Sequence, residues 1–111
     1  MLNRVTMIGR LTKDPELRYT QNNKAVCSFA IANDTGWGDN KQTNFVDVVV
    51  WGKVGENCAN YLSKGKLASV DGELHTRTYE TQDGQKRKVY EIVAQSVDFL
   101  SPKSAGEEPW N

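Results

Sequence analysis

Apolar and polar residues alternate with period two over most of this chain, the pattern of strands that give one face to a core and the other to something else. The clearest case runs from Thr43 to Lys53. Val46, Val48 and Val50 fall on one face, β-branched and apolar. Phe45, Asp47, Val49 and Trp51 fall on the other, with Lys53 following in phase. A strand that turns its valines inward and its aromatics outward leaves those aromatics to be covered by something.

The same alternation marks the other strands. Over Asn3–Lys13, Val5, Met7, Gly9 and Leu11 oppose Arg4, Thr6, Ile8 and Arg10; Gly9 predicts a bulge or bend, and Asp14-Pro15 ends the run. Glu16–Thr20 is short and extended, and Gln21-Asn22-Asn23 is a turn cluster. Ala25–Asn33 is apolar on both faces, as in a central strand. Lys66–Thr81 sets Ala68, Val70, Gly72 and Leu74 against Leu67, Ser69, Asp71, Glu73, His75, Arg77 and Tyr79. Gln82–Gln85 contains the Asp-Gly pair of a hairpin turn, and Arg87–Leu100 returns with Tyr90, Ile92 and Ala94 opposite Val89, Glu91 and Val93.

Only Val54–Lys64 has helical spacing, through Val54, Cys58, Tyr61 and Leu62, with Gly65 as its stop. The expected fold is all-β: a five-stranded OB barrel with one short helix between strands 3 and 4 and long hairpin loops. Residues 1–102 are expected to form the domain and 103–111 a short, acidic, disordered tail.

Charge changes this picture little in bulk and more in detail. Lys and Arg number 14 and Asp and Glu 14, so no overall basicity announces a nucleic-acid partner. All the bases lie within residues 1–103, where the acids number 12, and Glu107 and Glu108 supply the rest. Affinity for phosphate must therefore come from where individual bases sit. Cys27 and Cys58 have no metal-ligand spacing and read as buried small hydrophobes of a reduced cytosolic protein, a disulfide being the alternative. The N-terminus has no apolar leader and no stretch has transmembrane length, so a soluble cytoplasmic protein is expected, associated with the nucleoid if DNA is its partner.

Aromatics and bases interleave on the outward faces: Arg4 and Arg10, Trp37, Phe45 with Trp51 and Lys53, Arg77 with Tyr79. Single-stranded nucleic acid needs such a surface, because bases stack on rings while cations follow the backbone. Trp37, on a glycine-flanked loop over Thr35–Gln42, either folds back as a lid on the core or is held out for a partner, and its loop position favours the partner. The competing reading makes the aromatics ordinary core or interface residues. Enzymatic readings find little support: His75 stands alone, the acids are scattered singly, and no phosphate-cradling glycine loop or Cys/His set is present, so no metal, cofactor or catalytic residue is expected. Asp47, in the middle of the aromatic face, would repel phosphate; it either pairs with a base such as Arg4 or Arg77 or belongs to a subunit contact.

Four stretches carry a family resemblance: N-R-V-T-M-I-G-R-L-T-K-D-P-E-L-R-Y (Asn3–Tyr19), W-G-K-V-G-E-N (Trp51–Asn57), Y-L-S-K-G (Tyr61–Gly65) and G-E-L-H-T-R-T-Y (Gly72–Tyr79). In this order they resemble the bacterial and phage single-stranded DNA-binding proteins of the SSB type. The resemblance implies an OB fold, a homotetramer, and sequence-tolerant coating of single-stranded DNA during replication, recombination and repair. It also implies stacking aromatics at Trp37, Phe45, Trp51 and Tyr79 and basic contacts at Arg4, Arg18, Lys53, Lys64 and Arg77. Asp47, His75 and Thr78 stand where many relatives have a base. Relatives usually carry a long tail with an acidic, hydrophobic tip that recruits repair and replication proteins; here E-E-P-W-N echoes it only weakly. An OB adaptor that binds protein, and an RNA-binding OB domain of cold-shock kind, are the competing functions.

Overall fold

The computed structural model describes residues 1–101, so the expected boundary at 102 and the tail over 103–111 lie outside the described residues. Within them run β1 Val5–Leu11, β2 Glu16–Tyr19, β3 Ala25–Thr35, β4 Gln42–Trp51, α1 Gly52–Tyr61, β5 Leu67–Glu80 and β6 Lys86–Phe99. The count of strands is six, not the five expected. The extra one is the short Glu16–Tyr19 segment, whose residues pair antiparallel with Ser28 to Ala25 of β3. An extended stretch becomes a strand once a ladder takes up its amides. The helix therefore follows the fourth strand instead of the third.

One sheet holds all six strands in the order β1-β5-β6-β4-β3-β2. Arg10 and Leu11 of β1 also pair with Ala32 and Ile31 of β3, so the ladder runs from β1 through β5, β6, β4 and β3 back to β1. Only β4 and β6 run parallel; the other pairs are antiparallel. The alternation read from the sequence sorts the faces as expected. Phe29 and Ile31 of β3, Val48 and Val50 of β4, Val70 of β5 and Ile92 of β6 are sealed in one core. Burying each such side chain contributes about 1.5–3 kcal/mol. The helix lies against β2, β3, β4 and β6, and adds Cys58 and the following Leu62 to the core.

Two boundaries move from their expected places. The strand over 43–53 ends at Trp51, because Gly52 takes a φ of +73°, and a residue with a Cβ is strained there. That turn starts the helix at Gly52, so Lys53 lies in its first turn and not on the strand. At the other end Leu62 is already extended, and the helix stops at Tyr61, short of Lys64.

Beyond Leu74 the two 14-residue strands β5 and β6 leave the core and continue as an exposed ribbon to the expected Asp-Gly turn. The start of β1 is tied to this ribbon by a side chain imitating a strand partner: Asn3 donates from Nδ2 to the Leu74 carbonyl and accepts from its amide, both at 2.9 Å.

Both cysteines are free and fully buried. Burial raises both thiols, that of Cys58 to about 12, chiefly because a thiolate there would lose its water, with the nearby Cys27 adding to the shift. A disulfide-exchange reagent at pH 8 is expected to leave both unmodified in the folded chain and to titrate both in denaturant. Rapid reaction of either thiol without unfolding would contradict this packing. Among the described residues no helix is long and apolar enough to cross a membrane.

Candidate nucleic-acid interface

The outward face of β4 keeps its aromatics uncovered because its neighbour offers little to cover them. Phe45 sits opposite Ala32, Asp47 opposite Ala30 and Val49 opposite Ser28, all small side chains of β3. Phe45 is 72% exposed and Trp51 47%. The register extends these pairs into rows. Arg10, Ala32 and Phe45 form one, and Arg18, Val26 and Trp51 another, so each aromatic shares its row with an arginine. Lys53 stands just past Trp51, in the first turn of α1.

That lysine is poorly placed for the helix. The first turn contains no acid and Trp51 supplies no side-chain cap, so a cation meets the positive end of the helix dipole. Lysine and exposed helix amides together make a concentration of positive potential beside the Trp51 ring.

At the far end of β4 the loop carries Trp37 outward with 86% of its surface exposed. The lid alternative is therefore excluded. A short 3₁₀ turn, Gly38–Asn40, follows it, with the Asn40 amide bonded to the Trp37 carbonyl at 3.1 Å. Below the loop the stem is stapled by Thr43 donating to Asp34 at 2.7 Å and by Asn44 donating to the Asn33 side chain at 3.2 Å. Phe45 and Trp51 thus lie along β4, with Trp37 in the loop before it, Lys53 just past it, and Arg10 and Arg18 in their rows.

The remaining sequence-derived residues are held elsewhere. Arg77 and Tyr79 lie on the exposed ribbon, where Arg77 Nε donates to Glu91 at 3.2 Å and the Tyr79 ring is 46% exposed. Arg4 grips Asp71 with two bonds, Nε to Oδ1 at 3.2 Å and Nη2 to Oδ2 at 2.9 Å, and lines a different cleft with Leu2 and Glu73. Lys64 follows the helix, its amide bonded to the Asp14 carboxylate at 2.9 Å. His75 pairs with Glu73 at 2.9 Å. Both suggested partners of Asp47 are thus engaged by other acids. Among the described residues Asp47 has no ion pair, and it stands directly beside Glu91 in the β4–β6 ladder.

Tyr19 was not among the residues singled out, yet it belongs with Trp51. Its ring is 54% exposed, and its hydroxyl donates to Glu56 Oε2 of α1 at 2.9 Å. Accepting charge on that oxygen beside a carboxylate is unfavourable, and the bond raises the phenol above its usual range. Tyr19, Lys24, Trp51, Lys53 and Glu56 line an open cleft of about 540 Å³ between β2 and α1. Period two puts Tyr19 in phase with Leu17, which packs on the core, so alternation alone points it inward. Only the helix above explains why it emerges.

The model of the family described as "Single-strand binding protein family" matches residues 2–100. The chain is 50% identical to the single-stranded DNA-binding protein of Bacillus cereus over 97% of its own length and 65% of that protein's. It is 51% identical to single-stranded DNA-binding protein A of Bacillus subtilis, covering 96% of this chain and 63% of the relative. With single-stranded DNA-binding protein 2 of Staphylococcus aureus it shares 52% identity over 94% of this chain and 76% of that one. The chain therefore spans a little under two thirds of the Bacillus relatives' length. Among solved structures it is similar to a Plasmodium falciparum SSB in complex with ssDNA, with a TM-score of 0.85 and 27% identity, over 91% of this chain and 97% of that one.

Proposed function

Because the chain belongs to the single-strand binding protein family, we propose that it binds and coats single-stranded DNA with little sequence preference and catalyses no reaction. One observation carries this reading: Phe45 and Trp51 stand exposed on the outer face of β4 in rows with Arg10 and Arg18, with exposed Trp37 in the loop before the strand and Lys53 just past it. Rings spaced along a strand offer a π-face to successive bases whatever their identity, and the flanking cations neutralise phosphates. The closed circuit of ladders fits a five-stranded OB barrel with β2 as an added edge strand and residues 1–102 as its domain. Arg77 and Tyr79 would extend the surface along the ribbon, and Arg4 and Lys64 would reach DNA only at its margins.

Assembly as a homotetramer, a nucleoid-associated place in the cytoplasm, and protection of DNA strands in replication, recombination and repair are parts of this proposal that rest on the family. Recruitment of other proteins by E-E-P-W-N falls outside the described residues.

The test is fluorescence anisotropy with labelled oligo(dT), a mixed-sequence strand, the same sequence as duplex, and the ribo-oligomer. Both DNA single strands are expected to bind with similar affinity and a steep decline with salt, and the duplex much more weakly. Preference for the ribo-oligomer would favour the RNA reading, since only RNA offers the 2′-hydroxyl. Failure of every nucleic acid to bind would favour the adaptor.

Lys53→Glu separates stability from binding. The acid suits the helix dipole and is expected to raise stability by about 0.3–1 kcal/mol. It should also weaken oligo(dT) binding and flatten its salt dependence, as measured by thermal melts beside the anisotropy titration. A simultaneous loss of stability and binding would contradict the assignment.

A further inference from the structure

We infer that the cleft between β2 and α1 is a nucleobase slot, in which Tyr19 is a further stacking residue and Glu56 its positioning residue. The inference rests on the single-strand-binding reading and extends the DNA path past Trp51, around the end of β4, to the β2–β3 turn.

Three features make the cleft a receptor for a base with its phosphates. Two half-exposed rings, Tyr19 and Trp51, line one opening, so a base entering there meets apolar π-faces. Its volume of about 540 Å³ lies within the range of small-ligand sites. Its charge favours an anion. Lys24 and Lys53 line it and, among the described residues, neither has an acid within ion-pair distance. The single carboxylate there, Glu56, is turned to the Tyr19 hydroxyl.

The walls are also fixed in advance. The β2–β3 turn closes with the Thr20 amide on the Lys24 carbonyl at 2.9 Å and the Asn23 amide on the Thr20 carbonyl at 2.8 Å. The Thr20 hydroxyl accepts from the Lys24 amide at 3.2 Å. On the other side Glu56 is seated in the helix and holds the phenol at its tip, which restricts the ring before any ligand arrives. A ring already immobilised loses less entropy when a base stacks on it. A staple serving only to join β2 to α1 would require neither an open ring face nor two unpaired lysines around it.

The test uses the full chain, with Trp51→Ala as the reference for the strand face. Tyr19→Ala is expected to weaken oligo(dT) binding about tenfold, within the range for one stacked base. Glu56→Ala should weaken it severalfold, and Glu56→Gln, whose amide oxygen accepts the same hydrogen bond, should restore it. Lys24→Ala should lower the salt slope by about 0.7, the share of one phosphate on a single strand; a merely structural role would leave that slope unchanged. Where Tyr19→Ala fails to fold, photocrosslinking of the unaltered chain to iodouracil-substituted oligo(dT) decides. A crosslink at Tyr19 supports the slot, and crosslinks confined to the β4 face overturn it. Unchanged binding by folded Tyr19→Ala, with Trp51→Ala weakened, would overturn the slot and leave the function standing. If the unaltered chain binds no single strand, the function itself is wrong, and the slot with it.

Discussion

Replacing Trp51 with alanine is expected to weaken oligo(dT) binding by about 1–3 kcal/mol, roughly five- to 150-fold, while the domain stays folded. The ring shares its row with Val26 and Arg18 and leaves nearly half its surface open, so it packs on one side and offers the other. Its backbone starts α1 without help from its side chain, since no side-chain cap is made there. Removing the indole therefore takes a stacking platform and little of the core, and a stability loss of about 1 kcal/mol or less is expected. Trp51→Phe, which keeps a smaller π-face, should recover part of the affinity. Titration and thermal melting of the same samples check both statements. An unfolded Trp51→Ala would return the ring to the core.

The largest effect on stability is expected at Gly72, where a single methyl meets main chain. A Cβ built there would lie 2.1 Å from the Val93 carbonyl oxygen and 2.7 Å from the Ala94 Cα. Gly72 sits where the β5–β6 register shifts, beside Val5 in the β1 ladder, so three strands meet at this point. Backbone cannot rotate away as a flexible side chain can. Gly72→Ala is expected to cost about 3 kcal/mol or more, read as a lowered urea midpoint, with residual binding falling in step with the folded fraction. A variant of unchanged stability would mean that the bulge is wider than described.

Much of this was legible along the chain because period two is a local signal. The sorting of Val46, Val48 and Val50 from Phe45, Asp47, Val49 and Trp51 needs only neighbouring residues, and the structure keeps it for the whole of β4. Phase does not say which strand lies beside which. That Ala32, Ala30 and Ser28 lie opposite Phe45, Asp47 and Val49, leaving the outer face of β4 bare, depends on register and not on spacing. The ion pair of Arg4 with Asp71 joins residues 67 apart, and that of Arg77 with Glu91 crosses a ladder. Asp47 was unexplained partly because both expected partners are claimed in this way. Its acid stays beside Glu91 without a partner among the described residues, and nothing in the structure explains it. Lys53 keeps phase with the strand in sequence, but Gly52, at positive φ, turns the chain before it. Nothing local to Tyr19 signals its role, because its fixing residue, Glu56, lies on a helix 37 positions away.

Tryptophan emission on titration with oligo(dT) tests the central claim most directly, since Trp37 and Trp51 lie on the surface that DNA is expected to cover. At low salt, emission should fall on adding oligo(dT), reach a plateau at a fixed ratio of nucleotides to protein, and recover as salt is raised. Emission unchanged at every oligo(dT) concentration, with no complex formed at low salt, would contradict the account.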